Sequence, residues 1–175
     1  MTIREVLINI RERLQNAGIE DFEYESWAFL DWKLHIDRAE FYMNPNGEVK
    51  EELLAELESV LKQREQRVPL QYLMGECEFM GYDFYVDERV LIPRQDTECL
   101  VELAVEDIRN RKTQNRCESN NTADQKNEQK VKVLDLCTGS GCIGISVKKL
   151  CQNTEVTLAD ISEGALTVAK KNAEN

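Results

Sequence analysis

The run Val131-Lys-Val-Leu-Asp135-Leu-Cys-Thr-Gly139-Ser-Gly141-Cys-Ile-Gly144-Ile-Ser146 decides how this chain folds. Val131, Val133, Leu134 and Leu136 suit a buried strand. Side chains then nearly vanish at Gly139-Ser-Gly141, and Ile143, Ile145, Val147 and Leu150 continue with lysines between them, as a helix would. A strand, a glycine turn and a helix start, in that order, bring backbone N–H groups and a helix N-terminus up against a ligand. A second apolar strand, Val156-Thr-Leu-Ala-Asp160, ends in a carboxylate. An acid at that tip, about 20 residues beyond the turn, is placed to accept hydrogen bonds from a ribose diol. Gly139, Gly141 and Gly144 satisfy G-x-G-x-x-G by letter, as a glycine turn without a ligand also could. The position of Asp160 favours a nucleotide-like ligand.

With 175 residues there is room for one ordinary domain, or for a small domain plus part of another. A hydrophobic content of 42% is globular, and a net charge of -11 argues against a nucleic-acid backbone as direct partner, since phosphates need clustered Lys and Arg. Six cysteines (Cys77, Cys99, Cys117, Cys137, Cys142, Cys151) form no C-x-x-C pair and there is one histidine, His35, so no metal site is expected. The cysteines are expected to be reduced thiols. The amino terminus has no basic region followed by an unbroken apolar run, and no stretch approaches the roughly 20 apolar residues that span a membrane. These features point to a cytoplasmic protein.

Along the chain, Ile3, Val6, Leu7, Ile10 and Leu14 share one helical face, with Thr2 and Glu5 as a capping box and Gly18 as a stop. A second helix is expected over about 22–35, a short third after Asp37, and a fourth over about 48–66 with a Leu/Val stripe against a charged face. Trp27 and Trp32 are expected in the core and His35 at a helix end. Val68–Gly75 leads out of this bundle. Cys77 to Val86 alternates around Met80-Gly81 as a β-hairpin. After Pro93, which holds Ile92 extended, Asp96 or Thr97 is expected to cap a helix carrying Leu100, Val101, Ala104, Val105 and Ile108. Residues 110–130 contain almost nothing apolar and cannot offset their ordering entropy by burial, so a mobile polar loop is expected there.

Four separated motifs carry a family resemblance. Pro69-Leu-Gln-Tyr72-x-x-Gly75-x-x-Glu78-Phe79 and Leu91-Ile-Pro-Arg94-x-x-Thr97-Glu98 come first. Asp135-Leu-Cys137-Thr-Gly-Ser-Gly141 follows, and then Asp160-Ile-Ser-Glu-Gly-Ala165-Leu166-Thr-Val168-Ala169-Lys-Lys-Asn172-Ala173. In this order they resemble the HemK/PrmC family of release-factor glutamine methyltransferases. The family's D-L-G-T-G-S-G has Cys137 at its first glycine. The resemblance covers most of the chain from about 68 onward; before that only the architecture matches.

The resemblance implies an α/β protein: an N-terminal helical bundle, a β-hairpin linker, and the start of a Rossmann-like S-adenosylmethionine-dependent methyltransferase domain. It implies a helical substrate-recognition domain over 1–70, a hairpin and helix linker over 71–109, the mobile polar insertion over 110–130, and the first part of the methyltransferase domain over 131–175. The implied cofactor is S-adenosyl-L-methionine. Its expected contacts are Cys137, Thr138, Gly139, Ser140, Gly141 and Asp160, with Asp135, Arg94 and Thr97 as additional candidates. Without the resemblance, Arg94 and Glu98 read as a surface ion pair at a helix start. The implied partners are peptide chain release factors, methylated at a glutamine N5 by a protein that is monomeric when complete.

The family's catalytic signature, Asn-Pro-Pro-Tyr, is absent: Pro45, Pro69 and Pro93 are the only prolines and no two are adjacent. A doubly wound domain also needs more than the two parallel strands supplied here. The expectation is therefore a fragment that holds the cofactor, has no catalytic residue of its own and does not turn over. Two other readings are a dinucleotide-binding oxidoreductase fragment, and a non-catalytic module that docks a translation protein through its helical bundle.

Overall fold

The computed structural model describes residues 1–118 and 130–175. It divides into two compact units, Met1–Met74 and Gly75–Asn175.

The first unit is helical: α1 (Ile3–Asn16), α2 (Phe22–Leu34), α3 (Arg38–Met43), α4 (Glu51–Glu65) and α5 (Leu70–Met74). α1 starts with the reciprocal capping box, in which Thr2 Oγ1 accepts from Glu5 N (3.3 Å) and Glu5 Oε2 accepts from Thr2 N (2.8 Å). His35 ends α2 in the left-handed conformation and donates its backbone N–H to Asp31. Ile10, Leu14, Phe29, Leu30 and Leu61 are almost wholly buried and form the core. Trp27 and Trp32 pack at its margin, partly buried. One feature crosses the apolar stripes. Glu25 of α2 is buried and receives Arg64 of α4 in a two-pronged pair, Nε to Oε2 at 2.7 Å and Nη2 to Oε1 at 2.9 Å.

The second unit opens with the antiparallel hairpin β1 (Glu76–Phe79) and β2 (Tyr82–Tyr85), with Phe79 paired to Tyr82. Its two-residue turn, Met80-Gly81, has positive φ at both positions (54° and 73°), which matches the twist of the strands but strains Met80. Glu98 supports this turn: its Oε1 accepts the Met80 N–H at 2.6 Å. A short 3-10 turn (Gln95–Thr97) then runs into α6 (Glu98–Glu118). Thr97 N donates to the Arg94 carbonyl, and neither Asp96 nor Thr97 caps the helix with its side chain, contrary to the sequence expectation. Among the described residues no ion pair joins Arg94 to Glu98, whose Oε1 is bonded to the hairpin turn instead.

The expected loop over 110–130 is corrected in part: α6 continues to Glu118, so 110–118 is helical. The Arg, Lys and Gln residues there are good helix formers, and extending a nucleated helix needs no apolar burial of its own. An i,i+4 pair, Asp107–Arg111 at 2.8 Å, ties the start of the polar stretch to the preceding turn of the helix. Residues 119–129 of the expected loop lie outside the described residues.

β3 (Val131–Leu136), α7 (Cys142–Leu150), β4 (Thr154–Ala159) and α8 (Glu163–Glu174) complete the unit. β3 and β4 are parallel, with Val133 opposite Val156 and Asp135 opposite Leu158. Alternation sets the faces. Val131, Val133, Asp135, Val156 and Leu158 share one face, where the first two and Leu158 pack with Ile145 and Val147 of α7 in one cluster. Leu134 and Leu136 share the other face and are 63% and 69% exposed. The architecture is thus a helical region followed by the start of a mixed α/β domain.

Candidate functional site: the glycine turn between β3 and α7

Asp135 is the last inward-facing residue of β3, and its carboxylate is buried. Oδ2 accepts two bonds, from Thr138 Oγ1 at 2.6 Å and from Gly144 N at 2.9 Å. A carboxylate that sits on a first-turn N–H of α7 satisfies one of that helix's orphan donors and complements the positive end of its dipole. The close approach requires that residue 144 lack a side chain. A Cβ there would lie 2.9 Å from Asp135 Oδ2 and 2.4 Å from Leu158 Cδ2.

Between strand and helix the backbone turns through Cys137 (φ 62°), Gly139 (φ 55°) and Gly141 (φ 83°), the last being the N-cap of α7. Thr138 N donates to Ala159 O (3.0 Å) and Gly141 N to Thr138 O (2.8 Å), so the turn is tied both to the end of β4 and to itself. A Cβ on Gly139 would meet nothing within 4 Å, so backbone there borders open space. Asp160, one residue beyond β4, bridges across: Oδ2 accepts from Gly139 N and Oδ1 from Ser162 N, both at 2.9 Å. Those N–H groups, Ser162's foremost, hold the Asp160 carboxyl below its ordinary value, so it is anionic at neutral pH. Each oxygen keeps a further lone pair for another donor.

Of the expected site residues, the fold gathers Asp135, Cys137, Thr138, Gly139, Ser140, Gly141 and Asp160 into this one turn. Arg94 is the N-cap of the 3-10 turn before α6 and Thr97 is its last residue, and among the described residues no hydrogen bond joins either to the glycine turn. Sequence reasoning did not assign a role to Gly144 or Asn172. Asn172 is buried near the end of α8 and bonds both the turn and β2. Cys142, whose thiol is pushed up by burial, stays protonated. Among the described residues no group of His, Cys, Asp and Glu could hold a metal ion, and no helix is long and apolar enough to cross a membrane.

Cys137 is exposed and non-glycine in the left-handed region, a conformation worth about 1–2 kcal/mol of strain. A glycine there would relieve that strain while adding about 0.5–1 kcal/mol of freedom to the unfolded chain. Cys137→Gly should therefore stabilise the second unit by about 0.5–1 kcal/mol. Urea-dependent alkylation of the buried Cys142 and Cys151 reads this, and an unchanged or lowered midpoint would contradict it.

Comparison with known proteins places two domains on the chain. Residues 5–75 match the PrmC N-terminal domain and residues 121–175 the methyltransferase small domain. The release factor glutamine methyltransferase of Clostridium acetobutylicum is 36% identical over 174 residues, 99% of this chain and 55% of that protein. The protein of the same name from Geobacter sulfurreducens is 35% identical over 173 residues, 99% of this chain and 54% of its own length. A bifunctional methyltransferase from Rickettsia typhi is 33% identical over 172 residues, 98% of this chain and 33% of its own length. The chain spans about half the length of the release factor glutamine methyltransferases it matches, 55% and 54% of the two named.

Proposed function

We propose that the chain belongs to the HemK/PrmC family and that it holds S-adenosylmethionine for the N5-methylation of a glutamine side chain in peptide chain release factors. The observation that carries the cofactor assignment is the Asp135 carboxylate at the start of α7. In a dinucleotide site the helix N-terminus faces a pyrophosphate, whose negative charge its free N–H groups and dipole attract. Here the Gly144 N–H is already given to a carboxylate, which would repel such a group. S-adenosylmethionine, whose sulfonium and ammonium outweigh its single carboxylate, is a net cation and is not disfavoured in this way. This favours S-adenosylmethionine over the oxidoreductase reading.

When bound, the cofactor supplies an electrophilic methyl on a positive sulfur. The chain's own residues bind and orient. Asp160 accepts from the ribose hydroxyls with its remaining lone pairs. The backbone from Cys137 to Gly141 lies against the methionine part, with Gly139 admitting close approach. Asp135 and Thr138 act from beneath, fixing the turn on the helix. Arg94 and Thr97 are proposed to close over the ligand. We assign residues 1–70 to recognition of the release factor, and a cytoplasmic, monomeric whole protein to the same reading. No residue of this chain is assigned to the transfer step, as no consecutive prolines exist in it.

Calorimetric titration with S-adenosylhomocysteine and, separately, NAD tests the proposal. Binding of the former alone is expected, with Asp160→Ala weakening it about tenfold or more, the equivalent of about 1.5–3 kcal/mol for bonds to a charged acceptor. Binding of NAD without S-adenosylhomocysteine would overturn it. Incubated with a release factor and labelled cofactor, the 175-residue chain should transfer no methyl group.

A further inference from the structure

We propose that Asn172 is a positioning residue for the cofactor turn, holding the Ser140–Gly141 peptide in one orientation and locking it to the hairpin. This rests on the cofactor reading above. Asn172 stands near the end of α8 and is 4% exposed. Its carboxamide makes three bonds. Nδ2 donates to Ser140 O at 2.8 Å and to Tyr85 O at 2.9 Å, and Oδ1 accepts from Tyr85 N at 2.7 Å. One side chain thus takes both backbone groups of the last residue of β2 and a carbonyl from the middle of the glycine turn.

The turn needs such a hold for a conformational reason. Gly141, with φ 83°, has no Cβ to restrict it, so the peptide that precedes it can rotate at little steric cost. Two bonds pin that peptide: its N–H goes to Thr138 O, and its carbonyl goes to Asn172. Without the second, the Ser140 carbonyl would be buried without a partner or would turn outward. Turned outward, it would change which polar groups line the open space beside Gly139. The neighbouring Lys171 adds to the same attachment, its Nζ lying 3.1 Å from the centre of the Tyr85 ring. Asn172 needs no contact with the ligand for any of this, so its effect runs through the turn.

The alternative is that Asn172 merely anchors the hairpin and contributes stability. Two readouts taken on the folded protein, with Asn172→Asp as one probe, separate the two. Aspartate keeps the shape and an acceptor for Tyr85 N, but has no N–H for Ser140 O or Tyr85 O. The full chain carrying Asn172→Asp or Asn172→Ala would be compared with the unchanged chain by amide exchange and by S-adenosylhomocysteine titration, at a temperature where each is folded. Expected are exchange at least tenfold faster at Gly141 in both variants and an S-adenosylhomocysteine Kd raised at least tenfold. Loss of stability with Gly141 exchange and Kd unchanged in the folded protein would overturn the proposal. So would failure of both variants to fold, since a positioning role must separate from folding. If the unchanged chain binds no S-adenosylhomocysteine, the cofactor reading falls, while Gly141 exchange alone still decides whether Asn172 orders the turn.

Discussion

Replacing Glu25 with alanine should lower the stability of the helical unit by about 3 kcal/mol, because it strands the charge of Arg64. The side chains of Arg64 and Glu25 are only 12% and 11% exposed, so neither is well solvated when alone. A paired buried ion contributes modestly over an apolar substitute, whereas a single buried ion costs about 3–5 kcal/mol. The lower end applies because Arg64 keeps a long bond, 3.4 Å, from Nη1 to the Val68 carbonyl. Both tryptophans, Trp27 and Trp32, lie in this unit, so urea unfolding followed by tryptophan fluorescence reads it without interference from the rest of the chain. The double substitution Glu25→Leu with Arg64→Met should recover most of the loss. A drop below about 1 kcal/mol for Glu25→Ala would mean that the pair behaves as a surface ion pair.

That pair also marks where sequence reading failed in the helical unit. The stripes of α1 and α4 are legible because apolar residues recur at helical spacing, and Ile10, Leu14 and Leu61 are buried as the period demands. A glutamate on α2 carries no such signal. Charged residues are almost never buried unless paired, and the partner lies 39 positions away. The end of α6 was illegible for a related reason. A composition without apolar residues predicts that a segment gains nothing by packing, but a helix already begun at Glu98 needs no packing to extend.

In the second unit the strand, the turn and the acid at Asp160 were legible, since alternation, glycines and spacing are local signals. What Asp135 does there was not. The sequence shows a carboxylate at a strand end; only the fold shows that its oxygen reaches Thr138 and the start of α7. Asn172 stands in the fourth motif, but its role was equally illegible, because its partners at Tyr85 and Ser140 come from elements remote in sequence. The one available hint was the third glycine. A glycine inside a helix is unfavourable by about 1 kcal/mol relative to alanine, so its presence implies that something approaches closely.

Gly144→Ala tests that implication and should destabilise the second unit by about 2–3 kcal/mol, although helix propensity alone would predict a gain of about 1 kcal/mol. The added methyl would sit 2.4 Å from Leu158 Cδ2, 2.9 Å from Asp135 Oδ2 and 3.1 Å from Asp135 Cβ. Leu158 ends in a rotatable side chain and can yield. Asp135 cannot, because its Oδ2 is held by Thr138 and by Gly144 itself. The helix must therefore back away from the strand, with overpacking of about 1–3 kcal/mol and loss of a bond to a charged acceptor worth about 1.5–3 kcal/mol. Alkylation of Cys142 and Cys151 against urea measures the net effect. Adding Leu158→Ala discriminates the obstacle. If Leu158 is what the methyl strikes, removing its side chain restores part of the midpoint. If Asp135 is, the double variant is less stable than Gly144→Ala, because a cavity is added to a clash that remains. The second outcome is expected, and it would mean that the glycine at 144 is required by the carboxylate beneath the turn rather than by the packing of helix on sheet.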